Sequence, residues 1–163
     1  TPSQAGLLDS TLSAIIVVRH RSDVHPHRLV LVGQSIGGAN IIAVIGQGDR
    51  EDIRAVILDS TFASYATIAN QMIPGSGYLL DESYSGENYI ASVSPIPLLL
   101  IHGKADHVIP WQHSEKLYSL AKEPKRLILI PDGEHIDAFS DRHGDVYREQ
   151  MVDFILSALN PQN

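Results

Sequence analysis

Cysteine is absent from the 163 residues. Disulfides, thiolate metal sites and a cysteine nucleophile are therefore excluded, while the redox compartment stays open. No run of about eighteen apolar residues occurs, so no segment reads as a membrane span, and the N-terminus lacks the basic, apolar and small-residue succession of a signal peptide. Clustered Lys and Arg are missing too. With a formal net charge of -7, a nucleic-acid partner is disfavoured, because phosphate binding rests on such clusters. The short stretch from Lys122 to Arg126 reads as a solvated turn. No H-E-x-x-H or comparable ligand spacing occurs, which leaves neither a metal nor a cofactor expected.

What is present is an ordinary globular composition, 44% hydrophobic and 19% charged, in a length that suits one domain over residues 1–163. Thr1-Pro2-Ser3 reads as a loop leading into a helix and not as a translation start, so a processed or partial chain is expected. From Ser3, a fitting N-cap, Leu8, Leu12, Ile15 and Ile16 recur at helical spacing, with a stop before His25-Pro26. Leu29 to Val32 is a short apolar run ending at Gly33, and residues 38–45 follow as a helix rich in small residues, closed by Gly46 and Gly48. That succession is strand, sharp turn, helix. It recurs with the strand Arg54 to Leu58, with Pro97 to His102 before a helix Gln112 to Ala121, and with Arg126 to Ile130 before Val146 to Leu159. Apolar strands without polar alternation, separated by helices, predict an α/β fold with a parallel sheet covered on both faces. Residues 62–94 break the pattern with several Gly and Tyr and one helix near Tyr65 to Met72. They read as a lid or pocket-wall insertion, or as a plain surface excursion.

Gly33-Gln34-Ser35-Ile36-Gly37 matches the G-x-S-x-G nucleophile elbow and lies where that motif belongs, after an apolar strand and before a helix. The turn forces Ser35 into a strained backbone conformation, and Gly33 and Gly37 let strand and helix approach closely. Ser35 Oγ then projects above the sheet at a helix N-terminus, where the Ile36 N–H is placed to donate to an oxyanion. A serine hydroxyl needs an imidazole to take its proton. In this fold the order is Ser, acid, His, with the last two on loops after later strands. Two loops fit. The first, after Ile101, offers Asp106; the second, after Ile130, offers His135.

The rivals are Asp59, at the end of the strand after the elbow, whose structural role would be hydrogen bonding to the Thr61 or Ser64 backbone, and Asp132 and Asp137, which lie too near His135 in sequence. Among histidines, His102 at a strand end reads as structural, His143 as surface loop, and His20, His25, His27 and His113 as solvent-facing.

These segments resemble the BEM46-like or abhydrolase-domain serine hydrolases, close to the prolyl-oligopeptidase-type peptidases. The resemblance runs through Gly33 to Gly38, Leu58-Asp59-Ser60-Thr61-Phe62, the run from Leu100 to Pro110 that contains His102-Gly103-Lys104-Ala105-Asp106, and Gly133-Glu134-His135. It implies the α/β-hydrolase fold, triad roles for Ser35, Asp106 and His135, and a small-molecule or peptide acyl substrate carrying an ester, thioester or amide carbonyl. Members begin with further strands and a loop that supplies a second oxyanion donor. The chain therefore reads as a truncated, C-terminal part of about four strands, in which Leu29 to Val32 has an open edge that invites strand-mediated self-association. Alone it is expected to be a weak or inactive hydrolase. The location expected is cytoplasmic, or membrane-associated through an upstream anchor of the kind members carry.

Two other classes stay open. Gly33, Gly37 and Gly38 with Asp59 about twenty residues on also sketch a dinucleotide-binding unit. A non-catalytic interaction protein could keep the turn as scaffold.

Overall fold

The computed structural model describes residues 3–48 and 50–160; the expected loop at Thr1 and Pro2 lies outside them. Nine regular elements follow in order: α1 (Gln4–Arg19), β1 (Leu29–Gln34), α2 (Ile36–Gly46), β2 (Ile53–Asp59), α3 (Tyr65–Met72), β3 (Leu98–Gly103), α4 (Gln112–Leu120), β4 (Lys125–Ile130) and α5 (Val146–Leu159). Four short 3-10 turns lie between α3 and β3. Ser3 caps α1, its Oγ accepting from the Gly6 N–H at 3.1 Å. Ile16 is 44% exposed, so the buried stripe of this helix is narrower than its spacing implied: Leu8 and Ile15 are buried and Leu12 packs beside them.

All four strands are parallel, in the order β1-β2-β3-β4. The strands are apolar throughout because both faces are covered, yet their side chains still alternate. Val56, Leu58, Leu98 and Leu100 pack with Ile41, Ile42 and Ile45 of α2 and Leu117 of α4. Ile57, Leu99, Ile101, Ile128 and Ile130 face the other way, toward Tyr147, Met151, Phe154 and Ile155 of α5. Those four recur at helical spacing, one apolar stripe laid on the sheet.

The expected solvated turn at Lys122 to Arg126 is corrected. β4 already begins at Lys125, whose Nζ donates to the carbonyls of Tyr118 and Ala121 at 2.8 Å each and lies 4.4 Å from the Tyr118 ring centre. The ammonium satisfies carbonyls at the end of α4 that the helix itself cannot. Among the described residues β1 pairs with β2 alone and forms an open edge, with Val32 half exposed. Among the described residues no helix is long and apolar enough to cross a membrane.

Candidate active site

Parallel strands in register end at one rim. Gln34 pairs with Asp59, Asp59 with Ile101, and Gly103 with Ile130, so the loops that follow converge there. At the turn between β1 and α2, Ser35 has φ 52° and ψ -123°, a left-handed backbone that costs an L-residue roughly 1–3 kcal/mol. It is held by the Ser35 N–H donating to the Asp59 carbonyl at 2.9 Å and by the Gly38 N–H donating to the Ser35 carbonyl at 3.1 Å. The glycines divide the work differently from the motif. A Cβ on Gly33 would lie 2.6 Å from Gly38 Cα, and one on Gly38 would lie 1.9 Å from Thr61 Oγ1. A Cβ on Gly37 would meet nothing within 4 Å beyond its chain neighbours and its own helix backbone. Close approach therefore rests on Gly33 and Gly38, which corrects the expectation for Gly37. Ile36 opens α2, so its N–H has no intrahelical acceptor and points out of the helix end.

The loop after β3 carries Asp106, 6% exposed. Its Oδ1 accepts from the N–H groups of Val108 and Ile109, both at 2.8 Å. Its Oδ2 meets His135 Nδ1 at 2.8 Å and His102 Nε2 at 3.2 Å. Burial works against ionisation here, yet the hydrogen bonds from His102, His135, Ile109 and Val108 outweigh it and hold the carboxyl well below the usual carboxylate range. His102 is fully buried, as a structural histidine should be. Ser114 Oγ lies 2.7 Å from its Nδ1, and its Nε2 also lies 2.8 Å from the Ile109 carbonyl. That carbonyl only accepts, so Nε2 bears the proton and Nδ1 accepts from Ser114.

The two loops are pinned together by backbone. The Lys104 N–H donates to the Ile130 carbonyl and the Ala105 N–H to the Gly133 carbonyl, both at 2.8 Å. A Cβ on Gly103 would lie 2.1 Å from Gly133 O, so this approach admits only glycine. His135, partly exposed, follows on the second loop. With Nδ1 on the carboxylate, its Nε2 carries a lone pair and has no hydrogen bond among the described residues. Ser35 Oγ makes none either. The structure thus joins Asp106 to His135 directly and places Ser35 on the same rim without a bond to the ring.

The other candidates resolve individually. Asp59 is 1% exposed and accepts from the side chains of Gln34 at 3.0 Å and Ser60 at 3.2 Å, not from the Thr61 or Ser64 backbone. So enclosed, it cannot reach a ribose, which removes the basis of the dinucleotide reading. Burial pushes its carboxyl up, against those two bonds and the nearby His102 and His135 rings. His113 is buried, not solvent-facing: its Nδ1 accepts from the Ala63 N–H at 3.2 Å and its Nε2 meets Gln71 Oε1 at 3.2 Å. Burial, with repulsion from His102 and Lys116, pushes this imidazole down against the pull of Glu87. The His143 side chain is only 7% exposed, with Nε2 3.2 Å from Asp137 Oδ2 but in no hydrogen bond among the described residues, so it is no free surface residue. Arg142 draws Asp132, Glu134 and Asp137 together beneath the His135 loop. Sequence reasoning missed Ser60, Ser114 and the Gly103–Gly133 contact; only the two loop glycines offered a signal.

Comparison with known proteins gives this arrangement a family. The description of the prolyl oligopeptidase family matches residues 7–162. Protein YfhR of Escherichia coli (strain K12) is 94% identical over 163 residues, all of this chain and 57% of that protein. The chain thus spans little more than half the length of the curated relatives it matches. Among solved structures, Pyrococcus horikoshii acylaminoacyl peptidase superposes with a TM-score of 0.75 at 22% identity, covering 96% of this chain and 28% of that one. Acetyl xylan esterase 1 from Thermoanaerobacterium sp. superposes with a TM-score of 0.71 at 18% identity, covering 94% and 52%.

Proposed function

This chain belongs to the prolyl oligopeptidase family and has an α/β-hydrolase fold, and on that premise we propose that it is a serine hydrolase working through Ser35, His135 and Asp106. The observation that carries the proposal is the 2.8 Å contact between His135 Nδ1 and a buried, fully hydrogen-bonded Asp106. It fixes the tautomer that leaves Nε2 as the base, on the rim where Ser35 projects.

In the reaction, Ser35 Oγ attacks the substrate carbonyl as His135 Nε2 takes the hydroxyl proton. Asp106 stabilises the imidazolium without becoming protonated, and the Ile36 N–H faces the oxyanion. His135 then gives the proton to the leaving alcohol, thiol or amine, and water releases the acyl group by the same steps in reverse. A peptidase and an esterase among the structural neighbours support an acyl substrate with an ester, thioester or amide bond. Phe62, Tyr65, Ile68 and Tyr84 pack with Ala39 of α2 and with Ile109 beside Asp106, and we take this packing of residues 62–94 as one wall of the pocket.

Chromogenic ester turnover by the full-length protein tests the proposal. Ser35→Ala and His135→Ala should each abolish it, with a reduction of about 10³-fold or more, while circular dichroism stays unchanged. Turnover that survives Ser35→Ala would assign the chemistry elsewhere and leave this rim as a non-catalytic scaffold.

A further inference from the structure

Resting on the serine hydrolase reading, we propose that Asp59 is a positioning residue. Its buried carboxyl locks the turn that carries Ser35 to the loop that carries His135, through Gln34 on one side and Ser60 on the other.

The connections form one chain of bonds. Gln34, immediately before Ser35, reaches Asp59 Oδ2 at 3.0 Å. Ser60 Oγ donates to Asp59 Oδ1 at 3.2 Å and accepts from the Ile136 N–H, immediately after His135, at 3.1 Å. A hydroxyl has a single proton, so while Ser60 receives the Ile136 N–H its own proton must go to the carboxyl. The pair is anchored to the sheet by the Ser60 N–H on the Ile101 carbonyl and by the Ser35 N–H on the Asp59 carbonyl, both at 2.9 Å.

Backbone strain collects at the same point. Among the described residues four other than glycine have positive φ, and three of them are Ser35 at 52°, Ser60 at 51° and Ile136 at 51°. Such conformations persist only where their surroundings over-determine them. Here each of the three is bonded to, or belongs to, the Asp59–Ser60 pair. The strained turn and the strained loop come from β1 and β4, which share no hydrogen bonds; this pair links them.

Asp59 acts by geometry and not by its charge. The titratable groups facing it are His102 on β3 and His135 on the loop after β4, and it bonds to neither ring. The Gln34 amide can serve either protonation state, donating to a carboxylate or, turned over, accepting from a carboxylic acid. Asparagine can complete the same bonds, accepting from Ser60 and donating to the turned amide.

The test compares Asp59→Asn, Asp59→Ala and Gln34→Ala in the full-length protein, since this chain alone is expected to be weak or inactive. One readout is the fluorophosphonate labelling rate of Ser35 across pH. The other is amide hydrogen exchange at Ser35 and Ile136, which is independent of catalysis. Asp59→Asn should label within about twofold of the parent with the same pH midpoint. Asp59→Ala and Gln34→Ala should label more slowly by on the order of tenfold, because a small misplacement of reacting groups is costly. Exchange at Ile136 should quicken in Asp59→Ala and stay slow in Asp59→Asn. A purely structural role would lower the folded fraction while leaving the rate per folded molecule unchanged, and that result overturns the proposal. So does an Asp59→Asn variant as slow as Asp59→Ala with a displaced midpoint, which would make the charge the agent. If Asp59→Ala does not fold, Asp59→Asn and the exposed Gln34→Ala decide. If the parent does not label at Ser35, the hydrolase reading fails, while Ile136 exchange still reports on the lock.

Discussion

The two halves of the candidate site are built to different standards. On the β3 and β4 side, Asp106 receives four hydrogen bonds, His102 is fully buried with both ring nitrogens engaged, and two loop backbones touch at glycines. On the β1 side, among the described residues, the Ser35 hydroxyl has no hydrogen bond, Ile36 is 44% exposed and Val32 is 50% exposed on a strand with a single neighbour. The acid and base are therefore preorganised by this chain's own packing. The nucleophile is held by its backbone alone, on a flank with apolar surface open to solvent. Preorganised hydrogen bonding is what an active site needs before substrate arrives, and here it is complete on one side of the rim.

Breaking the acid half should have the largest effect. Asp106→Ala leaves the Val108 and Ile109 N–H groups without their acceptor, while His102 Nε2 keeps the Ile109 carbonyl, which should cost about 3 kcal/mol of stability by chemical denaturation at neutral pH. The sign with pH follows from the lowered carboxyl. Its contribution is full above its unfolded value near 3.8 and fades as pH falls further, so parent and variant should converge in acid. A variant as stable as the parent at neutral pH would mean that the network contributes nothing net.

The nucleophile half offers a smaller contrast with opposite signs. Gly38→Ala must push Thr61 aside and should cost about 1–3 kcal/mol. Gly37→Ala meets nothing within 4 Å inside α2 and should stabilise by about 0.5–1 kcal/mol, because alanine favours a helix over glycine. Thermal denaturation of the two variants reads the difference. Equal losses would show that both glycines are sterically required after all.

Much of this was legible in the chain. Helical spacing found α1, a helix was expected near α3 and over α5, uninterrupted apolar runs implied a parallel sheet, and strand-end position singled out the loops bearing Asp106 and His135. What escaped was long-range. His113 is buried because its nitrogens meet groups 50 and 42 residues away, and Ser60 matters through a backbone amide 76 residues on. No local pattern encodes such bonds. Gly37 was overvalued because a motif marks spacing, whereas the clash at Gly38 depends on Thr61 from the loop after the next strand. Lys125 was read as solvated because composition alone does not reveal that two carbonyls wait at the end of α4.

The account stands on Ser35 being the group that reacts. Incubation of the full-length protein with a fluorophosphonate, followed by proteolysis and mass mapping of the adduct, addresses that directly. The account predicts one adduct, on the peptide containing Ser35, lost in His135→Ala. An adduct on another residue, or one at Ser35 that forms equally fast without the imidazole, would contradict it.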